Sequence, residues 1–286
     1  MVLKKKNVFI VYFSPAGSTR HVAKVIEKQF QALGTETSSF DLAEGNSGVA
    51  AAISQQMENP EGKSCLFIGS PVYASHALPP VMECIAGLKE DPGVFAVPFV
   101  TWGGACSGIS LYEMGKELMG KRFMLLGAAK ILAVHSLMWA LEDALGKGHP
   151  DVGDDHMIGK LVNHVHQKLN DAKPKGIHLS DLAYQTKENH EEMEKTGLQI
   201  ARAHLPKRKI DTGVCNQCKV CSEVCPMDAV FFTPYPEFDD GCVFCFNCMK
   251  NCPEQAIIAD MSGIWQRIRD RAAFFSERPD SQIFYS

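Results

Sequence analysis

The sequence predicts an α/β protein: a doubly wound, five-stranded parallel sheet followed by a small C-terminal α+β module built on cysteines. Two observations carry this. Apolar runs of strand length alternate with helical stretches through residues 7–169, and eight of the 11 cysteines crowd between Cys215 and Cys252. At 286 residues the chain has room for one domain of ordinary size and a smaller module. We divide it into residues 1–171 for the sheet domain, 172–206 for a helical linker, 207–260 for the cysteine module and 261–286 for a helical tail.

The elements follow in order. Residues 7–13 read as a buried strand, 18–33 as a helix and 36–41 as a second strand. A third apolar run covers 64–69, a helix 79–88 and a fourth strand 95–101. Residues 109–119 are helical, 123–129 form the fifth strand, and 155–169 close the domain as a helix. Strands that alternate with helices build a parallel sheet covered on both faces. Such sheets bind ligands beyond the carboxyl ends of their strands, where the strand order reverses. Residues 129–153, with Gly146, Gly148, Pro150 and Gly153, read as a long loop. Its Met138 and Trp139 either cover a ligand or pack the fifth strand, and packing is the reading we favour.

The linker is polar at Pro174 and Gly176, then charged and helical over 181–204. Its Glu191-Glu192-Met193-Glu194 run reads as a solvated face, while Leu198, Ile200, Ala201 and Leu205 pack on a domain. In the tail, residues 264–275 combine an apolar stripe with a basic face. That pattern suits a helix docked on the chain itself or on a partner subunit better than one lying on a membrane.

Cysteine spacing is the most specific signal. The first run is Cys215-x2-Cys218-x2-Cys221-x3-Cys225-Pro226, and the second is Cys242-x2-Cys245-x2-Cys248-x3-Cys252-Pro253. Every cysteine recurs 27 positions later, so the module is an internal duplication. Three closely spaced thiolates wrap three corners of a four-iron cubane. The fourth, ahead of a proline, reaches across to the other cluster. On this pattern Cys215, Cys218, Cys221 and Cys252 hold one [4Fe–4S] cluster, and Cys242, Cys245, Cys248 and Cys225 hold the second. Paired zinc sites are the rival, but zinc does not call for three such cysteines and a Cys-Pro, twice over. Residues 209–259 resemble the two-cluster bacterial ferredoxins. The resemblance implies one-electron carriers of low potential, a reducing cytoplasm and an anaerobic source.

Three loops follow strands of the sheet domain. Ser14-Pro15-Ala16-Gly17-Ser18-Thr19-Arg20 is hydroxyl-rich and runs straight into a helix, where N–H groups and the helix dipole suit a phosphate. A serine-rich cap without a ligand is the plain alternative. The loop lacks Gly-Lys-[Ser/Thr], so it is no P-loop, and G-x-G-x-x-G is absent, which removes a nicotinamide fingerprint. Pro71-Val72-Tyr73 and Trp102-Gly103-Gly104 end the third and fourth strands.

On these loops the domain resembles the flavodoxin superfamily. There the first loop grips the FMN phosphate and the next two flank the isoalloxazine. The resemblance implies that Ser14, Ala16, Gly17, Ser18 and Thr19 contact the phosphate, and that Pro71, Val72, Tyr73, Trp102, Gly103 and Gly104 line the ring. Ala16 and Ser18 stand where the usual pattern has threonine and asparagine. The whole chain looks like the flavodoxin–ferredoxin fusions of anaerobes. Nearby, His76 reads as a solvent-facing loop residue or a donor to flavin, and Cys106 as a small loop residue rather than a redox thiol. Cys65 and Cys84 read as core.

A net charge of −4 without a basic stripe argues against nucleic acid, and no apolar run is long enough to span a membrane. The basic residues 1–6 and the short apolar run after them read as a cytoplasmic first strand rather than an export signal. Three readings follow. The first is an electron relay between two [4Fe–4S] clusters and FMN, exchanging electrons with redox proteins. In it a head-to-tail homodimer serves if the centres of one chain lie far apart. The second is an FMN-dependent reductase of a quinone, nitro compound or other small acceptor. The third is a flavin-free N-terminal module that docks a redox partner.

Overall fold

The computed structural model describes residues 6–45, 48–58 and 62–286. The basic residues 1–5 lie outside the described residues. Five parallel strands form the sheet: β1 (Lys6–Tyr12), β2 (Glu36–Asp41), β3 (Lys63–Tyr73), β4 (Phe95–Trp102) and β5 (Ala128–Leu132). Their spatial order is β2-β1-β3-β4-β5, the flavodoxin-like doubly wound order, with the switch point between β1 and β3. The inner strands are buried on both faces, which is why β3 and β4 read as unbroken apolar runs.

Helices α1 (Ser18–Ala32) and α5 (Val152–Asn170) cover one face. α1 does so with Val22, Ala23, Ile26 and Phe30, a stripe at helical spacing, packed with Ile158, Leu161, Val162 and Val165 of α5. Asp151 starts α5 with a capping box to Asp154. On the other face lie α2 (Val49–Met57), α3 (Pro79–Gly87) and α4 (Ser110–Gly120), whose Ile53, Val81, Ile85, Leu111 and Leu118 meet the second apolar layer. The sequence reading had no element at α2.

The fifth strand differs from expectation. Met124 and Leu125 pair with Phe95 and Ala96 only briefly, and the strand proper begins at Ala128, opposite Phe99 to Trp102. Lys130 interrupts the apolar run in the sequence, yet it is buried in the strand. Met138 and Trp139 neither cover the cavity described below nor pack β5. They join Phe246, Met261, Ile264 and Ile268 in a separate cluster against the C-terminal segments.

The linker forms α6 (Lys187–Glu194) and α7 (Leu198–Arg202). As expected, the glutamates of α6 are exposed, but Met193 in the same run is buried because it turns onto the sheet domain, and Ile200 of α7, expected to pack, is 54% exposed. The cysteine module is an α+β unit. β6 (Lys209–Ile210) pairs with β9 (Ile257–Ile258), and β7 (Val230–Phe232) pairs with β8 (Pro236–Phe238), both antiparallel. One-turn helices α8 (Val220–Glu223) and α9 (Asn247–Lys250) lie between.

Backbone geometry repeats with the sequence. Gln217 and Phe244, Lys219 and Phe246, and Asp228 and Gln255 all take positive φ, each pair at the spacing of the duplication. The tail docks on its own chain. α10 (Ser262–Phe275) sends the Trp265 indole N–H to the Leu137 carbonyl at 2.8 Å, and β10 (Gln282–Phe284) adds to β5 as an antiparallel sixth strand. The sequence reading placed the helix and missed the strand.

Candidate functional site

A cavity of about 430 Å³ opens at the carboxyl ends of β1, β3 and β4. The sheet domain contributes Ala16, Ser18 and Thr19, then Pro71, Val72 and Tyr73, then Trp102 and Gly103. Ser14, Gly17 and Gly104 support these loops without lining the cavity.

The first loop is held by its own hydroxyls. Ser14 Oγ accepts the Arg20 N–H at 2.9 Å, and Thr19 Oγ1 pairs with Thr101 Oγ1 at 2.8 Å, tying β1's loop to the end of β4. Gly17 enters α1 at φ 92, a left-handed conformation that a side chain resists. The N–H groups of Ser18 and Thr19, at the start of the helix, have no partner among the described residues. Arg20 turns away and grips Asp41 with two bonds, at 2.6 and 3.2 Å. An anion here would therefore meet N–H dipoles and hydroxyls, without a cation.

The loops after β3 and β4 are less alike. Tyr73 lies against the cysteine module, and burial together with the nearby Cys245 and Cys242 pushes its phenol well above the ordinary range. Trp102 is almost wholly buried. The Lys130 ammonium stands 5.0 Å from its ring centre, and its indole N–H has no partner among the described residues. Gly103 gives way to His135, whose ring would stand 2.7 Å from any Cβ there. That histidine was not singled out from sequence. It faces the cavity with protein around it, and burial pushes it down to about 4, so the neutral ring is the form present near pH 7.

His76 is neither solvent-facing nor at the cavity. Its Nδ1 meets Glu113 Oε1 at 2.7 Å and its Nε2 meets the Met193 carbonyl at 3.2 Å, joining α6 to the sheet domain. The Glu113 bond raises the imidazole above its ordinary value, against burial. Stability from this pair is complete below the unfolded value of about 6.5 and is lost as pH rises through the raised folded value. Melting midpoints should fall as pH rises above the unfolded value, and Glu113→Gln should flatten that fall. Cys106 lines the cavity with its thiol raised by burial, while Cys65 and Cys84 are core.

The remaining walls come from outside the sheet domain, and the sequence reading did not foresee this. α7 and the residues around it contribute Leu198, Ile200, Ala201 and Leu205, α10 contributes Arg267 and Arg271, and the second cysteine run contributes Val243 and Phe244. Asn247 donates to the Pro15 carbonyl, joining that run to the first loop. The signal was present in the repeat. Gln217 and Lys219 of the first run are exposed, and their counterparts Phe244 and Phe246 are apolar and covered.

Cysteines of the two runs meet in the module. Cys215, Cys218, Cys221 and Cys252 line one cleft, beside Phe232 and Ile257. Burial pushes Cys245 up to about 12, with Cys248, Cys242 and Cys225 acting in the same sense. N–H groups aim at sulfur in both halves: Ala229 to Cys225 and Ala256 to Cys252, each at 3.3 Å. Alternating right- and left-handed backbone of this kind makes the concave nests that hold Fe–S centres. Among the described residues, no three cysteine sulfurs lie within 4.8 Å of one another.

Residues 208–231 match the family model described as the 4Fe-4S binding domain. No curated protein matches the chain. Among solved structures, the rubredoxin oxygen:oxidoreductase of the anaerobe Desulfovibrio gigas is 20% identical at a TM-score of 0.43, over 58% of this chain and 37% of that one. A flavodoxin from the domain Archaea is 14% identical at 0.43, over 58% and 99%. Oxidised flavodoxin 2 from Bacillus cereus is 14% identical at 0.44, over 57% and 99%. The chain therefore spans little more than a third of the D. gigas protein. Among the described residues, no helix is long and apolar enough to cross a membrane.

Proposed function

We propose that this chain, a flavodoxin-like sheet joined to a 4Fe-4S binding module, is an electron-transfer protein of a reducing cytoplasm that holds FMN in the cavity and two [4Fe–4S] clusters on the eight cysteines. Bound there, the clusters would supply one-electron exchange and the flavin storage of one or two electrons. The observation that carries this reading is the shared wall: Val243 and Phe244, between Cys242 and Cys245, line the same cavity as the loops after β1, β3 and β4. A flavin site and a cluster site of one chain are neighbours, so no second copy is needed to bring them together.

The residues fit the groups. The unpartnered N–H groups of Ser18 and Thr19 and the hydroxyls of the first loop suit a phosphate. Pro71, Val72 and Tyr73 face Trp102 and Gly103 across a largely apolar space that suits a flat ring. Neutral His135 and residues of α7 and α10 complete its walls. Cys215, Cys218, Cys221 and Cys252 would hold the outer cluster, and Cys242, Cys245, Cys248 and Cys225 the one beside the cavity.

Anaerobic purification tests the reading directly, with an expected yield of about eight irons and about one FMN per chain. Gly17→Val places a β-branched residue at φ 92. It should weaken flavin retention roughly five- to thirtyfold, from a backbone cost of about 1–2 kcal/mol, while the iron content stays unchanged. Recovery of zinc, or of protein that takes up no flavin when FMN is added, would sink the proposal. Arg267, Asp270 and Arg271 on the cavity wall favour a second reading, a reductase of a small polar acceptor. Saturable turnover with such an acceptor would distinguish it from a carrier.

A further inference from the structure

Arg208 enters the cysteine module just ahead of β6, and nothing in the motif requires it. Its Nη1 donates to Cys248 Sγ at 3.4 Å and its Nη2 to Cys242 Sγ at 3.3 Å. The guanidinium lies 3.6 Å from the centre of the Phe238 ring, with Phe244 and Phe246 at 5.7 and 5.6 Å. It is half-buried, and no carboxylate pairs with it among the described residues. A cation that gives up water without an opposite charge is costly. Among the described residues its hydrogen-bond partners are two sulfurs, Cys242 and Cys248, both of one proposed ligand group.

The first group has no equivalent. The residue that the duplication sets opposite Arg208 is Tyr235, whose hydroxyl donates to the Thr212 carbonyl at 3.3 Å. In the first set Cys218 is exposed and Cys221 buried, whereas in the second Cys242 and Cys248 are both buried and none is exposed. Two chemically matched ligand sets therefore lie in different fields: one more exposed and with no cation on its sulfurs among the described residues, the other more covered and holding a fixed positive charge. Guanidinium keeps its charge at every working pH. Hydrogen bonds and positive charge at cluster sulfur favour the reduced state, which carries one more negative charge.

We infer that Arg208 is a positioning and tuning residue that makes the cluster beside the cavity the higher-potential one of the pair. An electron arriving at the exposed cluster is then lost by it and gained by the inner one, with no bond broken and no proton required. Electron flow through the module acquires a direction, from the solvent-facing ligand set toward the cavity wall. This inference rests on the proposed cluster assignment, and its test keeps the two separate.

The experiment is an EPR-monitored redox titration of the anaerobically purified full chain beside Arg208→Gln and Arg208→Lys, with iron counted in each. Wild type should show two one-electron waves. Arg208→Gln should lower the upper wave by at least the 59 mV that a tenfold one-electron change represents, and leave the lower wave in place. Arg208→Lys, which keeps the charge but not the two-pronged fork, should fall between. Unmoved waves with iron still at the wild-type level, or movement of the lower wave, overturn the inference and leave the cluster assignment standing. Loss of half the iron in both variants makes Arg208 an assembly residue and also overturns it. Absence of iron from wild type instead defeats the assignment beneath it.

Discussion

Cys252→Ala is expected to abolish the cluster of the first run, although Cys252 belongs to the second. Cys252 lines the cleft of Cys215, Cys218 and Cys221, and the fourth cysteine of such a run serves the opposite centre. Iron per chain should drop from about eight to about four. The surviving EPR signal should match that of Cys215→Ala and differ from that of Cys242→Ala. Cys225→Ala should behave in the mirrored sense, since Cys225 is grouped with Cys242, Cys245 and Cys248. Alanine is the right replacement because a serine oxygen can still ligate iron. If Cys252→Ala and Cys242→Ala leave the same residual cluster, each run serves its own centre and the crossed assignment is wrong.

The second large effect is expected at Glu277, in the segment between α10 and β10. Its carboxylate accepts the Lys130 ammonium at 2.6 Å and the Ser107 N–H at 2.8 Å. Burial alone would push that carboxyl up, but Lys130 and Ser107 hold it below its ordinary value. The Lys130 side chain is 3% exposed, so Glu277→Ala strands a charge inside the sheet domain. Removing one partner of a buried pair costs about 3–5 kcal/mol. Denaturant midpoints should fall accordingly, and limited proteolysis should cut the tail as β10 leaves β5. Lys130→Met combined with Glu277→Leu should recover most of the loss, because apolar replacements of both partners remove the stranded charge. A single mutant as stable as wild type would mean that the ion pair does not hold the tail.

This pair also explains where the sequence reading of the strands failed. Lysine in a strand otherwise composed of Ala, Ile and Leu looks like the end of a buried run. What makes it tolerable is a carboxylate 147 residues further along the chain, and no local window contains both. α2 was missed for a related reason: its Ile53 and Met57 are its only fully buried apolar residues, too few to draw a clear stripe. β1 to β4, α1 and α3 to α5 were legible because their apolar runs or stripes are local to each segment.

The candidate site divides in the same way. Cysteine spacing, the Cys-Pro steps, the duplication and the hydroxyl-rich first loop are local, and covalent geometry turns them directly into ligand groups and a helix N-terminus. The sequence by itself therefore determined the kind of sheet, the number of clustered cysteines and their duplicated spacing. Tertiary structure alone decided which cysteine run meets the cavity, which buried side chains surround Lys130 and Arg208, and that the tail returns as a sixth strand. Those outcomes depend on which surfaces exclude water and where charges find partners, and both are set by segments distant in the chain.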